Sequence, residues 1–256
     1  MSLPPARLER FARHIVLPEV GGAGQVRLAQ SRAVVIGLGG IGSPVLQYLA
    51  ASGIGHLSLV DNDVVDVSNL QRQTIFTARD VGHGKAVSAR RWLANFDDAL
   101  RIDVSDARIT AANAASLIAG ADVVVDGTDN FATRLAVSDA CVAAGIPLVS
   151  AAVGRFQGQV AAWAGHLADQ PCYRCFVGDA FDAEDCDTCA DDGMLGAMAG
   201  WVGTFAAMQA IKVLLTGVSA LGDPGWGKLH ILDGFAAGMR TIRIAKDPAC
   251  KGCDWV

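Results

Sequence analysis

The stretch from Ala33 to Gln73 constrains the fold more than any other part of the chain. Ala33-Val-Val-Ile36 reads as a buried strand. Gly37-Leu-Gly39-Gly40-Ile-Gly42 reads as a turn opening an apolar helix that runs to Ser52, and Leu57-Ser-Leu-Val60 as a second strand ending on Asp61. A strand, a glycine turn, a helix and a strand in this order open a nucleotide-binding α/β sheet. Within the turn, Gly37 permits the tight bend, Gly39 lets a phosphate approach the backbone, and Gly42 lets the helix pack close to the sheet. The start of the helix adds free N–H groups and a positive dipole end, which suit an anion. Asp61 stands where a ribose hydroxyl can be hydrogen-bonded.

The segment after Asp61 is unlike an ordinary dinucleotide site. Asp61-Asn-Asp63-Val-Val-Asp66-Val-Ser-Asn69-Leu-Gln-Arg72-Gln73 is dense in groups that bind phosphate, ribose or Mg²⁺. Further on, Val81-Gly-His-Gly84-Lys85 opens a helix to about Phe96. A lysine at a helix start opposes the dipole, which argues for a functional reason. Ile102–Val104 and Ala121–Val125 read as strands, and Ala111–Ala119 and Phe131–Ala143 as helices. Asp126 and Asp129 follow a strand at its carboxyl end, where open α/β sheets bind ligands. Asp126 alone reads as a turn cap. Pro147-Leu-Val-Ser150 closes this half, so strands and helices alternate over the first 150 or so residues.

The remainder changes character. Gly158–Trp163 reads as a strand, residues 194–216 as a long helix, and Lys228–Leu232 and Thr241–Ile244 as late strands. The long helix is the only membrane-like run, and Gln209 and Lys212 within it favour a core helix over a span. Cys172-Tyr-Arg-Cys175 and Cys250-Lys-Gly-Cys253 form two knuckles that suit a four-thiolate Zn²⁺ site, although their separation leaves a redox pair open. Between them, Phe181–Gly193 is acidic and lacks hydrophobic periodicity, so it reads as a loop carrying Cys186 and Cys189. Acidic neighbours raise a thiol's pKa, which leaves Cys189 open between a reactive and a spare thiol. Cys141, on an apolar helix face, reads as core.

Bulk properties narrow the function. A net charge of −5 argues against a nucleic-acid surface, and 52% hydrophobic with 18% charged residues indicates a large buried core. Seven cysteines without an early apolar export signal suggest thiols or metal ligands in a reducing, cytoplasmic setting. The N-terminal arm, Leu8 to Leu28, carries Arg10-Phe-Ala-Arg13-His14, which on its own reads as a solvated helix face.

Taken together, Gly-Leu-Gly-Gly-Ile-Gly-Ser, Leu-Val-Asp-Asn-Asp-Val-Val-Asp-Val-Ser-Asn-Leu-Gln-Arg-Gln, Gly84-Lys85 and Gly127-Thr-Asp129-Asn130 resemble the E1-like superfamily, specifically the bacterial HesA/MoeB/ThiF adenylyltransferases. The resemblance spans nearly the whole chain. It implies a Rossmann-like α/β fold with a mainly parallel twisted sheet, a mixed C-terminal extension and a four-cysteine zinc knuckle. The organisation it implies is one adenylation domain over 1–256, with an arm at 1–31, a nucleotide-binding half at 32–150 and a carrier-binding and zinc half at 151–256. The implied activity is ATP-dependent adenylation of the C-terminal glycine carboxylate of a ubiquitin-fold sulfur carrier protein ending in Gly-Gly, with a separate sulfur donor. The implied site has Asp129 on Mg²⁺, Lys85, Arg72 and Arg13 on phosphate, and Gly37, Gly39, Gly40 and Gly42 in the turn. Asp61 would take the ribose, with Asp63, Asn69 and Gln73 beside it. Arg13 would come from the partner subunit of a homodimer, and Cys189 matches a cysteine that some relatives join to their protein partner. Cys172, Cys175, Cys250 and Cys253 would hold Zn²⁺. A nicotinamide-dependent oxidoreductase would share the glycine turn and Asp61 but leaves Arg72, Lys85 and Asp129 together unexplained. An adenylating enzyme acting on another carboxylate or on tRNA is a nearer alternative, and a catalytically silent binding module a more distant one.

Overall fold

The structure is a computed structural model and describes residues 3–178 and 193–253. The N-terminal arm is three helices, α1 (Pro5–Arg10), α2 (Ala12–Ile15) and α3 (Gly21–Gln30). Arg10 and Arg13 therefore sit on two short helices that break at Phe11, not on one face. Phe11 is buried, and its ring occupies space that a Cβ at Gly53 would take, 2.4 Å from the ring tip. Arg7 pairs with Asp97 at 2.6 Å and Arg10 lies over the Phe96 ring, so the arm is pinned to its own chain.

The strand–helix alternation of the first half follows the sequence. In chain order come β1 (Arg32–Ile36), α4 (Gly42–Ala51), β2 (His56–Val60), α5 (Lys85–Phe96), β3 (Arg101–Ser105), α6 (Ala114–Ile118), β4 (Val123–Asp126), α7 (Phe131–Ala144) and β5 (Leu148–Gly154). The element that departs most from its expected bounds is α6. Asn113 accepts from the backbone N–H of Thr110 at 2.7 Å and from its hydroxyl, so residues 110–113 close a turn and the helix starts only at Ala114. The second half adds β6 (Gln157–Trp163), α8 (Tyr173–Val177), α9 (Gly196–Leu214), β7 (Lys228–Asp233) and β8 (Gly238–Arg243).

All eight strands join one sheet in the order β3-β2-β1-β4-β5-β6-β7-β8. Pairing is parallel from β3 through β5 and antiparallel from β5 through β8. Strand β1 shows why the centre must be apolar throughout: Ala33 and Val35 enter one core while Val34 and Ile36 enter the other. Helices α3, α4, α5 and α9 cover the first face, and α6, α7 and α8 the second. The chain thus changes face between β1 and β4, which opens a crevice at their carboxyl ends.

Helix α9 is long and apolar enough to cross a membrane by length and composition. Its place in the fold explains that composition without a bilayer. Met198, Val202, Ala206 and Ala210 are buried in the first core, and the helix lies against α4, β5 and β6. A Cβ at Gly203 would stand 2.4 Å from the Ile41 carbonyl oxygen and from Pro44, so only glycine lets α9 approach the start of α4 this closely. The acidic stretch with Cys186 and Cys189 lies outside the described residues.

Candidate active site

The crevice is a cleft of about 1220 Å³. Gly37, Gly39, Gly40, Asp61, Asp63, Asn69, Arg72, Gln73, Lys85 and Asp129 all line it, although they are spread over some ninety residues of sequence. Two sequence-predicted positions do not. Gly42 lies behind the turn, where a Cβ would sit 2.2 Å from the Gly37 carbonyl oxygen. Its role is to close the turn, not to meet a ligand. Arg13 is exposed on the arm and lines no part of its own chain's cleft.

The glycine turn is built from both sides. Gly37 has φ +79°, a left-handed conformation that disfavours any side chain, and its virtual Cβ would meet Gly127 and Thr128 at 3.1 Å. At Gly39 the nearest atom to a virtual Cβ is Gln73 Nε2 at 3.5 Å, so this position opens onto the cleft. Gln73 is itself buried, and its Oε1 has no hydrogen-bond partner among the described residues.

Asp61 ties the turn to the segment that follows β2. Its carboxylate accepts the Leu38 N–H at 2.7 Å and the Asp63 N–H at 2.8 Å. Burial pushes its pKa up, while these N–H groups and the charge of Lys85 oppose the shift. The sequence reading gave Asp61 one task, to hold ribose. What the structure shows is that the same carboxylate shapes the glycine turn. Beside it, Lys85 is buried at the start of α5 and donates from Nζ to Asp63 at 2.9 Å. Its backbone N–H donates to the Asp63 carbonyl, also at 2.9 Å. An acid partner thus offsets the lysine's unfavourable place at a helix start. In the turn at 67–69, Asn69 accepts from the Asp66 N–H, and Arg72 donates to the Ser68 carbonyl at 3.0 Å.

On the opposite wall, Asp126 is fully buried and accepts from Thr128 through both its N–H, at 2.9 Å, and its hydroxyl, at 2.7 Å. The reading of Asp126 as a turn cap is therefore what the structure shows. Asp129 is exposed on the cleft, and no hydrogen-bond or ion-pair partner engages its carboxylate among the described residues. A free carboxylate beside a phosphate-sized turn is the hard oxygen donor that Mg²⁺ takes. The cleft continues past Asp129 over Ser150, Gln159 and Tyr173 to Leu229, joining the two halves of the sheet. Sequence reasoning missed these wall residues. Arg134, also in the wall, left one signal: it is the only basic residue of α7 and follows Asp129-Asn130 within a turn and a half.

The two cysteine knuckles meet. The Sγ atoms of Cys172, Cys175, Cys250 and Cys253 all lie within 4.8 Å of one another. Separations of 3.9, 3.6 and 3.5 Å between neighbouring sulfurs match thiolates about 2.3 Å from one tetrahedral Zn²⁺. The Asp247 backbone N–H donates to Cys175 Sγ at 3.5 Å, as a thiolate ligand requires, and the Cys175 pKa falls despite its burial. Burial pushes Cys253 up to about 11. Arg174, between the first two cysteines, forms a two-point pair with Asp139 at 2.7 Å and ties the cluster to α7. Cys141 is buried in the second core.

Residues 11–252 match the ThiF family, and the chain belongs to it. It is 41% identical over 253 residues to the SAMP-activating enzyme E1 of Haloferax volcanii, covering 99% of this chain and 91% of that protein. The sulfur carrier protein adenylyltransferase of Thermus thermophilus is 40% identical over 249 residues, covering 96% of this chain and 90% of that one. The fold is similar to that of E. coli MccB solved with ATP, with a TM-score of 0.79 at 22% identity over 98% of this chain and 77% of that structure.

If the four thiolates hold one metal, Cys253→Ser lowers bound zinc from about one ion per chain and lowers the melting temperature in the same step, because metal binding is coupled to folding. Zinc content by atomic emission together with thermal unfolding checks this. A full set of free thiols with no metal in freshly purified protein contradicts it.

Proposed function

We propose that this protein uses ATP to adenylate the C-terminal glycine carboxylate of a ubiquitin-fold sulfur carrier protein, activating it for sulfur transfer from a separate donor. One observation carries the reading. A single cleft gathers the glycine turn, Asp61, the cations Arg72 and Lys85 and the free acid Asp129, then runs onward beneath the antiparallel half. Relatives that share about two residues in five over nearly their whole length are named for this kind of activation.

In the reaction a carboxylate oxygen of the carrier attacks the α-phosphorus of ATP. The bond from that phosphorus to the bridging oxygen breaks, pyrophosphate leaves with the electron pair, and an acyl-adenylate remains. No side chain has to act as a nucleophile. Catalysis lies in holding the two anions in line and offsetting their charge. The glycine turn takes phosphate on its backbone, Asp61 and Asn69 face the ribose, and Gln73 turns its amide toward Gly39. Lys85 and Arg72 stabilise phosphate charge, so Lys85 exchanges part of its contact with Asp63 for the ligand. Asp129 holds Mg²⁺, which supplies further neutralisation on the phosphates. Zn²⁺ on the four thiolates is structural and fastens the C-terminal knuckle to α7. Residues 32–150 serve the nucleotide and 151–256 the carrier. Cys189 takes no part in this first step.

Arg13 fits a homodimer in which each arm serves the partner's cleft. Its own cleft does not include it, while Arg7, Arg10 and Phe11 fix the arm's root and leave Arg13 facing outward. A guanidinium delivered in this way can form forked phosphate contacts.

Two measurements test the reading. By titration calorimetry the protein binds ATP with Mg²⁺ and not NAD, and Asp129→Ala loses the Mg²⁺ response with its fold kept. Tight NAD binding with no response to ATP and Mg²⁺ overturns adenylation. For the dimer, separately inactive Arg13→Ala and Asp129→Ala proteins are mixed. With random exchange of subunits about one quarter of all sites regain activity. No recovery despite verified exchange returns Arg13 to its own subunit or removes it from the site.

A further inference from the structure

We propose that Arg134 is the positioning residue for Asp129, acting through the backbone of Thr128. This rests on the reading of Asp129 as the Mg²⁺ acid and assigns the residues that make it one.

Thr128 has three polar groups, and all three are held. Asp126 takes its N–H and its hydroxyl. A terminal nitrogen of Arg134 donates to its carbonyl and also to the Ala151 carbonyl, the latter at 2.7 Å. One planar cation thus joins the loop after β4 to the neighbouring strand β5. On the far side of Asp129, Asn130 caps α7 by accepting the Thr133 N–H at 3.0 Å. Asp129 therefore stands between two fixed residues with its own carboxylate free. A ligand acid needs this combination, because small displacements of a charged ligand cost far more than small displacements of a packed methyl.

Arg134 is itself constrained. It is buried in the cleft wall above the fully buried Asp126, whose second carboxylate oxygen has no hydrogen-bond partner among the described residues. The arginine's charge favours ionised Asp126 against the larger cost of burial. Tyr173 lines the same wall, with its ring edge-on to Trp163. The Trp163 indole N–H donates to Ser150 at 2.8 Å, so this group is anchored to β5 and β6 together. Tyr173 also stands between Cys172 and Cys175.

A purely structural arginine would stabilise the fold and leave the metal response alone. The test therefore reads Mg²⁺ linkage to ATP binding by calorimetry, without turnover, in Arg134→Lys, Thr128→Val and Asp129→Asn. Arg134→Lys keeps the charge but loses the planar fork. The Mg²⁺ concentration for half-maximal effect rises about tenfold, the scale of a lost hydrogen bond to a charged group. Metal-free ATP affinity stays within about twofold. Thr128→Val removes, at nearly constant shape, the hydroxyl that Asp126 accepts, loosening the residue through which Arg134 acts; it raises the Mg²⁺ requirement about threefold and carries the test alone if the arginine variant fails to fold. An unchanged Mg²⁺ requirement in the folded variants, with Asp129→Asn shifting it, overturns the positioning role. An equal loss of metal-free ATP affinity also overturns it, by making Arg134 a wall of the cleft in general. If Asp129→Asn leaves the requirement unmoved, the metal reading itself fails and the proposal with it.

Discussion

The Asp61 carboxylate is the clasp on which the site depends. One residue after β2, it receives N–H groups from the glycine turn and from the segment leading to α5. Those two stretches carry most of the groups proposed for the nucleotide, and the Gly37 N–H, donating to the Val60 carbonyl at 3.0 Å, joins them a second time. The cost is a half-buried acid whose pKa is raised by desolvation. Two backbone donors and the nearby Lys85 make that cost bearable, since a buried carboxylate is tolerable when hydrogen-bonded and paired. The arrangement also leaves further lone pairs on Asp61, so holding the turn and accepting a ribose hydroxyl are compatible tasks.

The change from parallel to antiparallel pairing at β5 gives the cleft its length. In the parallel half, all strands present their carboxyl ends to one edge, where loops with acids and glycines collect. Strands β6, β7 and β8 then extend the same sheet by hairpin-like pairing. The floor thus continues smoothly from phosphate-sized glycine geometry to a wider wall around Gln159 and Leu229. A small anion and an extended polypeptide end can share one surface without a domain hinge between them. Helix α9 seals the opposite face, and its near absence of side-chain bulk at Gly203 is what lets the second half pack onto the first.

Much of this was legible in the chain. The first half could be read from local rules: apolar strands of four or five residues, a glycine turn with a helix behind it, and an acid at the strand end. The cysteine spacing announced a cluster but not its closure, because the 78 residues between paired sulfurs carry no distance information. Asp129 was found by its motif, whereas Arg134, Ser150, Gln159 and Tyr173 were not. They reach the cleft through tertiary packing, and the only basic residue of a helix, or a tyrosine inside a knuckle, reads first as a local feature. Gly42 was read as the close-packing glycine, and the 2.2 Å approach of its virtual Cβ to the Gly37 carbonyl oxygen agrees. A glycine motif does not say which glycine faces the ligand and which faces the turn's own carbonyl. The start of α6 was placed too early because the Asn113 side chain closes a turn on Thr110 in place of helix extension.

The central claim is that the cleft activates a carrier's terminal carboxylate at the expense of ATP. Exchange of labelled pyrophosphate into ATP reads that step directly, because it requires reversible formation of the acyl-adenylate and no sulfur donor. Exchange is expected with Mg²⁺ and a ubiquitin-fold carrier ending in Gly-Gly, and it is expected to vanish when the carrier lacks its terminal glycine. Absence of exchange across a panel of such carriers, or exchange that persists when the carrier is left out, would contradict the account.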